Sequence, residues 1–249
     1  MNMRPVVLVI AGHDPTGGAG IQADIEAIHA AGGHAVTLVT VLTVQDTTGV
    51  QRFLITPAEL LQQQAEVLLA DIRPQAVKLG MLGHPDIVEV VKSVLDRLPD
   101  IPVVLDPVLS SNLSGHLADA ALPHALLALL PRTTLLTPNT LELEQLLQGH
   151  TLNHLFDLGV DHVLITGGHR PGSTLINELH HAEGCLWRSE ITRLPGEFHG
   201  SGCTLASACA IGLAQGLSTL DAVQRAQQYT TGTLQLAHIP GRGKFIPWR

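Results

Sequence analysis

The residues best suited to chemistry lie where a loop of small residues runs into an apolar helical stretch. Segment 198–204 reads FHGSGCT, and Gly200, Ser201 and Gly202 let a ligand come close to the backbone. The first N–H groups of a helix lack helical partners and carry partial positive charge, so they bind anions. The same field favours a thiolate at Cys203, which could take a proton from a substrate hydroxyl. The segment predicts a catalytic anion site, and a packed cysteine at an ordinary helix start is the alternative.

A second glycine-rich loop supports the hypothesis of a ligand site. The apolar run 6–10 is followed by AGHDPTGGAG at 11–20, which contains Gly17 and Gly18, and then by a helical stretch. Strand, glycine loop and helix in this order form ligand sites at the carboxyl end of a sheet. No Gly-Lys-Ser/Thr closes the loop, and its spacing differs from Gly-x-Gly-x-x-Gly, so neither familiar nucleotide-binding motif is present.

Strands and helices alternate along the chain, and they must position these loops. Apolar runs predict strands at 6–10, 36–40, 76–79, 103–105, 134–136 and 163–166. Helical patterns are found at 57–70, 85–98, 119–130, 139–147, 203–216 and 218–237. Runs 174–181 and 185–193 flank a short turn and predict a terminal hairpin. The alternation implies βαβ units, so we expect an α/β fold whose mostly parallel sheet is covered by helices on both faces.

The composition favours one soluble cytoplasmic domain over residues 1–249. Hydrophobic residues make up 45% of the chain, enough for a large core, and no linker or low-complexity stretch divides it. The formal charge of −8 argues against nucleic-acid or anionic-membrane partners. The cysteines number 3 and lack CxxC spacing, which is typical of a reducing compartment. No run is long enough to cross a bilayer. A homodimer is the expected assembly.

Seven sequence blocks, taken together and in order, resemble the hydroxymethylpyrimidine and phosphomethylpyrimidine kinases of thiamine biosynthesis. The blocks are the glycine loop at 11–24, VQDT at 44–47, KLGML at 78–82, LDPV at 105–108, TPN at 137–139 with Glu142, GGH at 167–169 and HGSGCT at 199–204. The resemblance spans nearly the whole chain. It implies a three-layer α/β/α ribokinase-like fold, ATP and Mg²⁺ as cofactors, and a small pyrimidine as the phosphate acceptor.

The resemblance also implies roles for residues on the acceptor side. It makes Cys203 the base, at a position where ribokinase-like sugar kinases carry an aspartate, and it makes the preceding loop the anion hole. Around the pyrimidine it places Gly17, Gly18, Asp24, Gln45 and Met81. The Gln45 amide offers both a donor and an acceptor to the ring. The alternatives are a turn residue for Gln45, core filling for Met81 and a solvated helix position for Asp24.

On the nucleotide side, carboxylates and an amide follow strand ends. Asn139 and Glu142 lie three apart at a helix start, and carboxylate and amide oxygens suit hydrated Mg²⁺. The resemblance assigns this pair to magnesium and phosphate, with Asp106 as a second metal candidate. Further candidates for nucleotide binding are Thr166, Gly168, His169 and Lys244. An N-cap with a first-turn glutamate, and a strand-terminating turn at Asp106, are the alternatives.

Three rival functions stay open at this point. A pyridoxal or pyridoxine kinase of the same superfamily is the closest. A cysteine hydrolase using Cys203 is a second, and it would form a covalent intermediate. A catalytically inactive pyrimidine sensor is a third, because Thr166 stands where many relatives have lysine. The 14 histidines predict no zinc site, since no Cys/His set has zinc spacing and His180 and His181 point to opposite faces of a strand.

Overall fold

Apolar strands form the centre of one twisted sheet. The computed structural model describes residues 4–109, 121–168 and 172–249, and within them nine strands lie in the order β3-β2-β1-β4-β5-β6-β7-β8-β9. The strands are β1 Val6–His13, β2 His34–Asp46, β3 Gly49–Ile55, β4 Ala76–Leu79, β5 Val103–Leu105, β6 Leu135–Leu136, β7 His162–Ile165, β8 Thr174–His181 and β9 Gly184–Thr192.

The six middle strands, from β2 to β7, pair in parallel, and both edges of the sheet are antiparallel. β4 and β5 are buried along their whole length because helices cover both faces. The terminal hairpin β8–β9 is confirmed. β3 was not predicted, because its GVQRFLI sequence contains Gln51 and Arg52 and it is half exposed at the sheet edge.

Eight helices form the two outer layers within the described residues. They are α1 Gly20–Ala30, α2 Ala58–Asp71, α3 Pro85–Asp96, α4 Leu122–Leu127, α5 Thr140–Leu147, α6 Asn153–Asp157, α7 Ser201–Ala214 and α8 Thr219–Gln235. One apolar cluster joins the sheet to α1, α7 and α8, and the other joins it to α2 through α6. The three-layer ribokinase-like architecture expected from the resemblance is therefore confirmed.

The helix predicted at 119–130 differs from the structure in its bounds. It is shorter, because α4 ends at Leu127 and a separate 3₁₀ turn follows at Leu130–Arg132. Pro131 lacks the N–H that a continuing α-helix needs. Part of this prediction, at 119–120, lies outside the described residues. None of the helices in the described ranges is long and apolar enough to cross a membrane.

Candidate active site

The parallel strands end at one edge of the sheet, and most of the predicted site residues follow those ends. β1 leads into the glycine loop, β5 into Asp106, β6 into Asn139 and β7 into Thr166. The start of α7 faces the same edge: a Cβ on Gly202 would stand 3.9 Å from Oδ2 of Asp106. The structure therefore brings residues that are far apart in sequence to a single cleft.

The α7 start is an open anion site. Gly200 precedes the helix with φ +83°, a conformation that favours glycine, and a Cβ there would overlap the carbonyl oxygen of Gly18. Both the N–H and the hydroxyl of Thr204 donate to the Gly200 carbonyl, at 3.0 and 2.8 Å. No side chain caps α7. The N–H groups of Ser201, Gly202 and Cys203 thus have no helical partners, which is the geometry that an anion site would need.

Cys203 lies in the first turn of α7, but its thiol is not activated in the free protein. Burial, and then the charges of Asp106 and Asp24, raise its pKa to about 12. Lys78 and a hydrogen bond from the Gly20 N–H act in the opposite direction. The expectation that the helix field alone favours the thiolate is therefore wrong. The field is present, and burial beside two carboxylates outweighs it.

A buried lysine–aspartate pair supports this part of the site. Lys78 Nζ lies 2.9 Å from Asp24 Oδ1, and both side chains are 0% exposed. The Ser207 hydroxyl, one turn along α7 from Cys203, donates to the same Asp24 oxygen, Oδ1, at 2.7 Å. Burial would lower the pKa of Lys78, but the Asp24, Cys203 and Asp106 charges raise it well above its usual value. Lys78 is therefore a permanent cation beneath the cleft.

This pair changes two expectations. Asp24 was expected beside the pyrimidine, but its carboxylate is buried and engaged by Lys78 and Ser207, so it holds the site from below instead of facing a ligand. Lys78 was given no role. A lysine inside the apolar strand β4 was the available signal, because a charged residue is almost never fully buried unless it is paired.

Asp106 and Glu142 form an acidic group that fits a divalent cation. Burial and the Asp24 charge raise the pKa of Asp106 to about 6 against the opposing charge of Lys78, and burial and the Asp106 charge raise that of Glu142 to about 8. Glu142 also completes a capping box: its Oε2 accepts from the Asn139 N–H at 3.0 Å, and Asn139 Oδ1 caps α5. Two buried carboxylates of which one raises the pKa of the other favour a shared cation, and oxygen donors suit Mg²⁺.

The raised pKa of Glu142 predicts a pH-dependent stability. Between pH 4.5, the ordinary value, and about pH 8, the unfolded chain releases this proton while the folded protein keeps it. The free energy of unfolding of metal-free protein should therefore fall as pH rises through that window. Glu142→Gln cannot ionise, so it should be more stable than the parent protein at pH 8, by a few kcal/mol, and should lose this pH dependence in urea denaturation.

Glu144→Gln is the matched control, because Glu144 lies in the same helix and is exposed. It should leave the pH dependence of stability unchanged. Equal pH profiles for Glu142→Gln and the parent protein would show that Glu142 is not held protonated in the fold.

The acceptor side of the cleft holds an aspartate–histidine–glutamine chain. His199 Nε2 lies 2.8 Å from Asp14 Oδ2, and Gln45 Nε2 lies 3.3 Å from the same nitrogen. Burial opposes ionisation of Asp14, but hydrogen bonds from His199 and Thr16 lower its pKa below the usual value. An ionised Asp14 accepts only, so His199 Nε2 donates to it and has no lone pair for Gln45. The amide hydrogens of Gln45 therefore stay available to a ligand.

The two glycine loops and the far end of the chain are locked together around this chain of contacts. Gly18 has room for no side chain, since a Cβ would stand 2.6 Å from the His199 ring. Arg249 donates to the Gly17 and Gly18 carbonyls at 3.3 and 2.5 Å, and to Thr204 Oγ1 at 2.8 Å. The sequence analysis assigned no binding role to Asp14, His199 or Arg249. Their contacts with the glycine loops show that they support this part of the site.

Met81 follows β4 beside the first loop. Its sulfur stands 3.5 Å from the place a Cβ would take on Gly12, and its carbonyl accepts from Thr40 Oγ1 at 2.6 Å. The side chain is partly exposed. Met81 thus lies at the same edge as the glycine loop, where an apolar platform was expected.

The nucleotide-side residues are only partly brought together. Thr166 bridges to Asn139 across the ends of β7 and β6, and its N–H donates to the Pro138 carbonyl at 2.9 Å. Gly168 is exposed, and its carbonyl accepts from Arg193 at 2.8 Å. The predicted residue His169 lies outside the described residues.

Lys244 lies between the β2–β3 turn and the segment that precedes α7. Its N–H donates to the Thr47 carbonyl in the β2–β3 turn, and its Nζ pairs with Glu197 at 3.2 Å. Four strands separate β2 from β7 in the sheet order, which is about 24 Å at the usual strand spacing. Segment 243–245 also pairs with residues 197–199 directly before α7, and the nucleotide role of Lys244 stays a prediction.

Known kinases and a thiamine biosynthesis protein are similar to this chain over nearly its whole length. The chain is 39% identical over 251 residues to the hydroxymethylpyrimidine/phosphomethylpyrimidine kinase of Streptomyces coelicolor, covering 96% of this chain and 92% of that protein. It is 35% identical to the thiamine biosynthesis multifunctional protein ThiED of Corynebacterium glutamicum, covering 94% of this chain and about a third (32%) of that longer protein. Against an ADP complex of Bacillus subtilis pyridoxal kinase the TM-score is 0.89 at 26% identity, covering 98% of this chain and 97% of that one.

The sequence profile described as phosphomethylpyrimidine kinase matches residues 14–247, from the aspartate of the first glycine loop to beyond α8. The site residues described above, from Asp14 to Thr204, all lie within this matched range. The chain belongs to the phosphomethylpyrimidine kinase family.

Proposed function

We propose that this protein transfers the γ-phosphate of ATP to 4-amino-5-hydroxymethyl-2-methylpyrimidine, and then to its monophosphate, in thiamine diphosphate biosynthesis. One observation supports this most directly. The open α7 start, the acidic pair Asp106 and Glu142, and the free amide of Gln45 share one edge of the sheet. Phosphoryl transfer needs anion stabilisation, charge neutralisation and an oriented acceptor, and these groups can supply all three.

The transferring phosphate is placed at the α7 start. The N–H groups of Ser201, Gly202 and Cys203 point there, and the buried Lys78 adds a fixed positive charge behind them. Such donors and charges need no reorganisation as negative charge moves during transfer. The ADP complex of the pyridoxal kinase with the same fold supports a nucleotide as the donor.

Asp106 and Glu142 would hold Mg²⁺, which would neutralise phosphate charge there. Glu142→Gln should therefore lower activity and raise the Mg²⁺ concentration needed for half-maximal rate. Asn139 keeps Glu142 in place through the capping box, and Thr166 ties Asn139 to β7. Thr166 and Gly168 are proposed to line the nucleotide, together with His169.

Cys203 is proposed to receive the hydroxymethyl proton. The negative charge of Asp106 is one of those that raise the pKa of the thiol. Mg²⁺ held by that carboxylate would offset this effect. With Mg²⁺ bound, the pKa of Cys203 would therefore be lower than in the metal-free protein. A cysteine hydrolase is less well supported, because no histidine of the described residues is among the groups that shift the pKa of this thiol.

The choice of a pyrimidine over a pyridine rests on Gln45 and on the relatives. An aminopyrimidine presents ring nitrogens and an exocyclic amine, and the unspent Gln45 amide can both donate and accept. Identity is 39% to the hydroxymethylpyrimidine/phosphomethylpyrimidine kinase and 26% to the pyridoxal kinase, which supports the first substrate class. A homodimer in the cytoplasm, without nucleic-acid or membrane partners, stays our prediction.

Replacing Gln45 with Leu tests this assignment. The ring would lose a hydrogen-bonding partner, which should weaken transition-state binding by about 1–3 kcal/mol. The value of kcat/KM for hydroxymethylpyrimidine should therefore fall roughly 5- to 150-fold. ATP-dependent ADP release, measured with hydroxymethylpyrimidine, its monophosphate, pyridoxal and pyridoxine, gives the effect for each acceptor.

The matched control is Gln63→Leu, because Gln63 is an exposed residue of α2 whose amide contacts Glu59 in the same helix. It should leave all four rates unchanged. If Gln45→Leu leaves hydroxymethylpyrimidine turnover at the parent level, Gln45 is not part of the acceptor site.

A further inference from the structure

Three different metal-binding side chains meet on the β8–β9 hairpin, away from the cleft. A carboxylate oxygen of Glu178, a ring nitrogen of His180 and the sulfur of Cys185 all lie within 4.8 Å of one another. Nε2 of His180 is inaccessible to solvent and has no hydrogen-bond partner among the described residues, and it faces Glu178 Oε2 at 3.9 Å. A buried ring nitrogen without a partner is costly, and a cation would satisfy it.

An irregularity in the hairpin creates this grouping. Leu179 pairs with Trp187, so regular pairing would set His180 against Leu186 and His181 against Cys185. The register instead shifts by one residue, and His180 pairs with Cys185. Such a bulge turns a side chain to the other face of the strand. It brings Cys185 to the face that Glu178 and His180 share as alternate residues of β8.

We propose that Glu178, His180 and Cys185 bind a thiophilic divalent cation such as Zn²⁺. Thiolate, imidazole and carboxylate are the zinc ligands of proteins, and three of them leave a fourth tetrahedral position for water. Bonds of about 2.0–2.3 Å set tetrahedral ligand atoms roughly 3.3–3.8 Å apart, so the side chains need move together by about 1 Å. The sequence prediction of no zinc site was based on Cys/His spacing and on the opposite faces of His180 and His181, and neither of these reveals the bulge.

The neighbouring charges permit binding. Arg188 lies opposite Glu178, with its Nε 4.0 Å from Oε1, but its guanidinium makes the shorter contact of 3.1 Å with Glu190. The Cys185 thiol donates weakly to the Trp187 carbonyl at 3.4 Å, and metal binding would replace that proton. The cation would join β8 to β9 beside the bulge, where ladder pairing is weakest.

Cobalt titration of the reduced, chelator-treated full chain tests the proposal, because Co²⁺ bound to a thiolate has its own charge-transfer absorption. One equivalent of Co²⁺ should produce this band, and Zn²⁺ should abolish it, since zinc binds such sites more tightly. Cys185→Ser and His180→Gln should lose the band. Glu178→Gln should weaken Co²⁺ affinity at least tenfold.

His181→Gln and Cys203→Ser are the matched controls, the first an adjacent histidine on the opposite face and the second the cleft thiol. Both should keep the band, with unchanged stoichiometry. The proposal is overturned if the parent protein gives no thiolate band, if the band survives Cys185→Ser, or if His181→Gln removes it as completely as His180→Gln does.

Discussion

Cys203→Ala is expected to lower kcat for hydroxymethylpyrimidine phosphorylation by about 10²–10⁴-fold, the usual contribution of a general base. ATP should still bind, because the anion site consists of backbone N–H groups that alanine retains. The thiol lies between opposing influences: burial and two carboxylates raise its pKa to about 12, whereas Lys78 and the Gly20 N–H lower it. Steady-state kinetics together with nucleotide affinity separates the loss of a base from the loss of binding.

Cys209→Ala is the matched control for this variant. Cys209 lies in the same helix and is buried in the apolar cluster under the sheet, and burial alone raises its pKa. Its replacement should reduce stability through lost packing and leave kcat close to the parent value. Cys203→Asp should recover part of the rate, because a carboxylate can take the same proton. Near-normal kcat in Cys203→Ala would leave the backbone as the only catalytic part of the α7 start.

Lys78→Met is expected to destabilise the protein by about 3–5 kcal/mol, because it leaves the Asp24 carboxylate buried without its counter-charge. The ion pair measures 2.9 Å with both partners fully buried. Urea denaturation of the parent protein and the variant measures this loss.

Lys92→Met is the control, because Lys92 forms an exposed pair with Glu89 at 2.9 Å. It should cost well under about 1 kcal/mol. The double variant Lys78→Met/Asp24→Leu should recover part of the stability lost in Lys78→Met, since it removes the unpaired charge. Equal losses in Lys78→Met and Lys92→Met would contradict a supporting role for the buried pair.

The sequence predicts local features of this site well. Apolar runs predict the parallel strands because the central strands are buried on both faces and consist of aliphatic residues. The small residues of 200–204 predict the α7 start, since helix initiation depends on neighbouring residues. β3 was missed because a half-exposed edge strand shows no apolar pattern. The exact bounds of α4 depended on where the chain turns at Pro131.

Features set by distant contacts could not be predicted. Lys78 and Asp24 lie 54 residues apart, and only their packing shows that both are buried and paired. The pKa of Cys203 depends on Asp106 and Asp24, which arrive from other elements, so the helix-start argument gave the wrong direction. Likewise, nothing local indicates that the segment of Lys244 pairs with Thr47.

The central claim, phosphorylation of a hydroxymethylpyrimidine, is tested most directly by ³¹P NMR of one reaction. The full chain is mixed with ATP, Mg²⁺ and 4-amino-5-hydroxymethyl-2-methylpyrimidine, and a parallel tube holds pyridoxal instead. We predict loss of the ATP γ-phosphate signal, appearance of the pyrimidine monophosphate, and then growth of its diphosphate, with pyridoxal converted at least about tenfold more slowly. Pyridoxal 5′-phosphate forming faster than the pyrimidine monophosphate, or no transfer to either acceptor, would contradict the account.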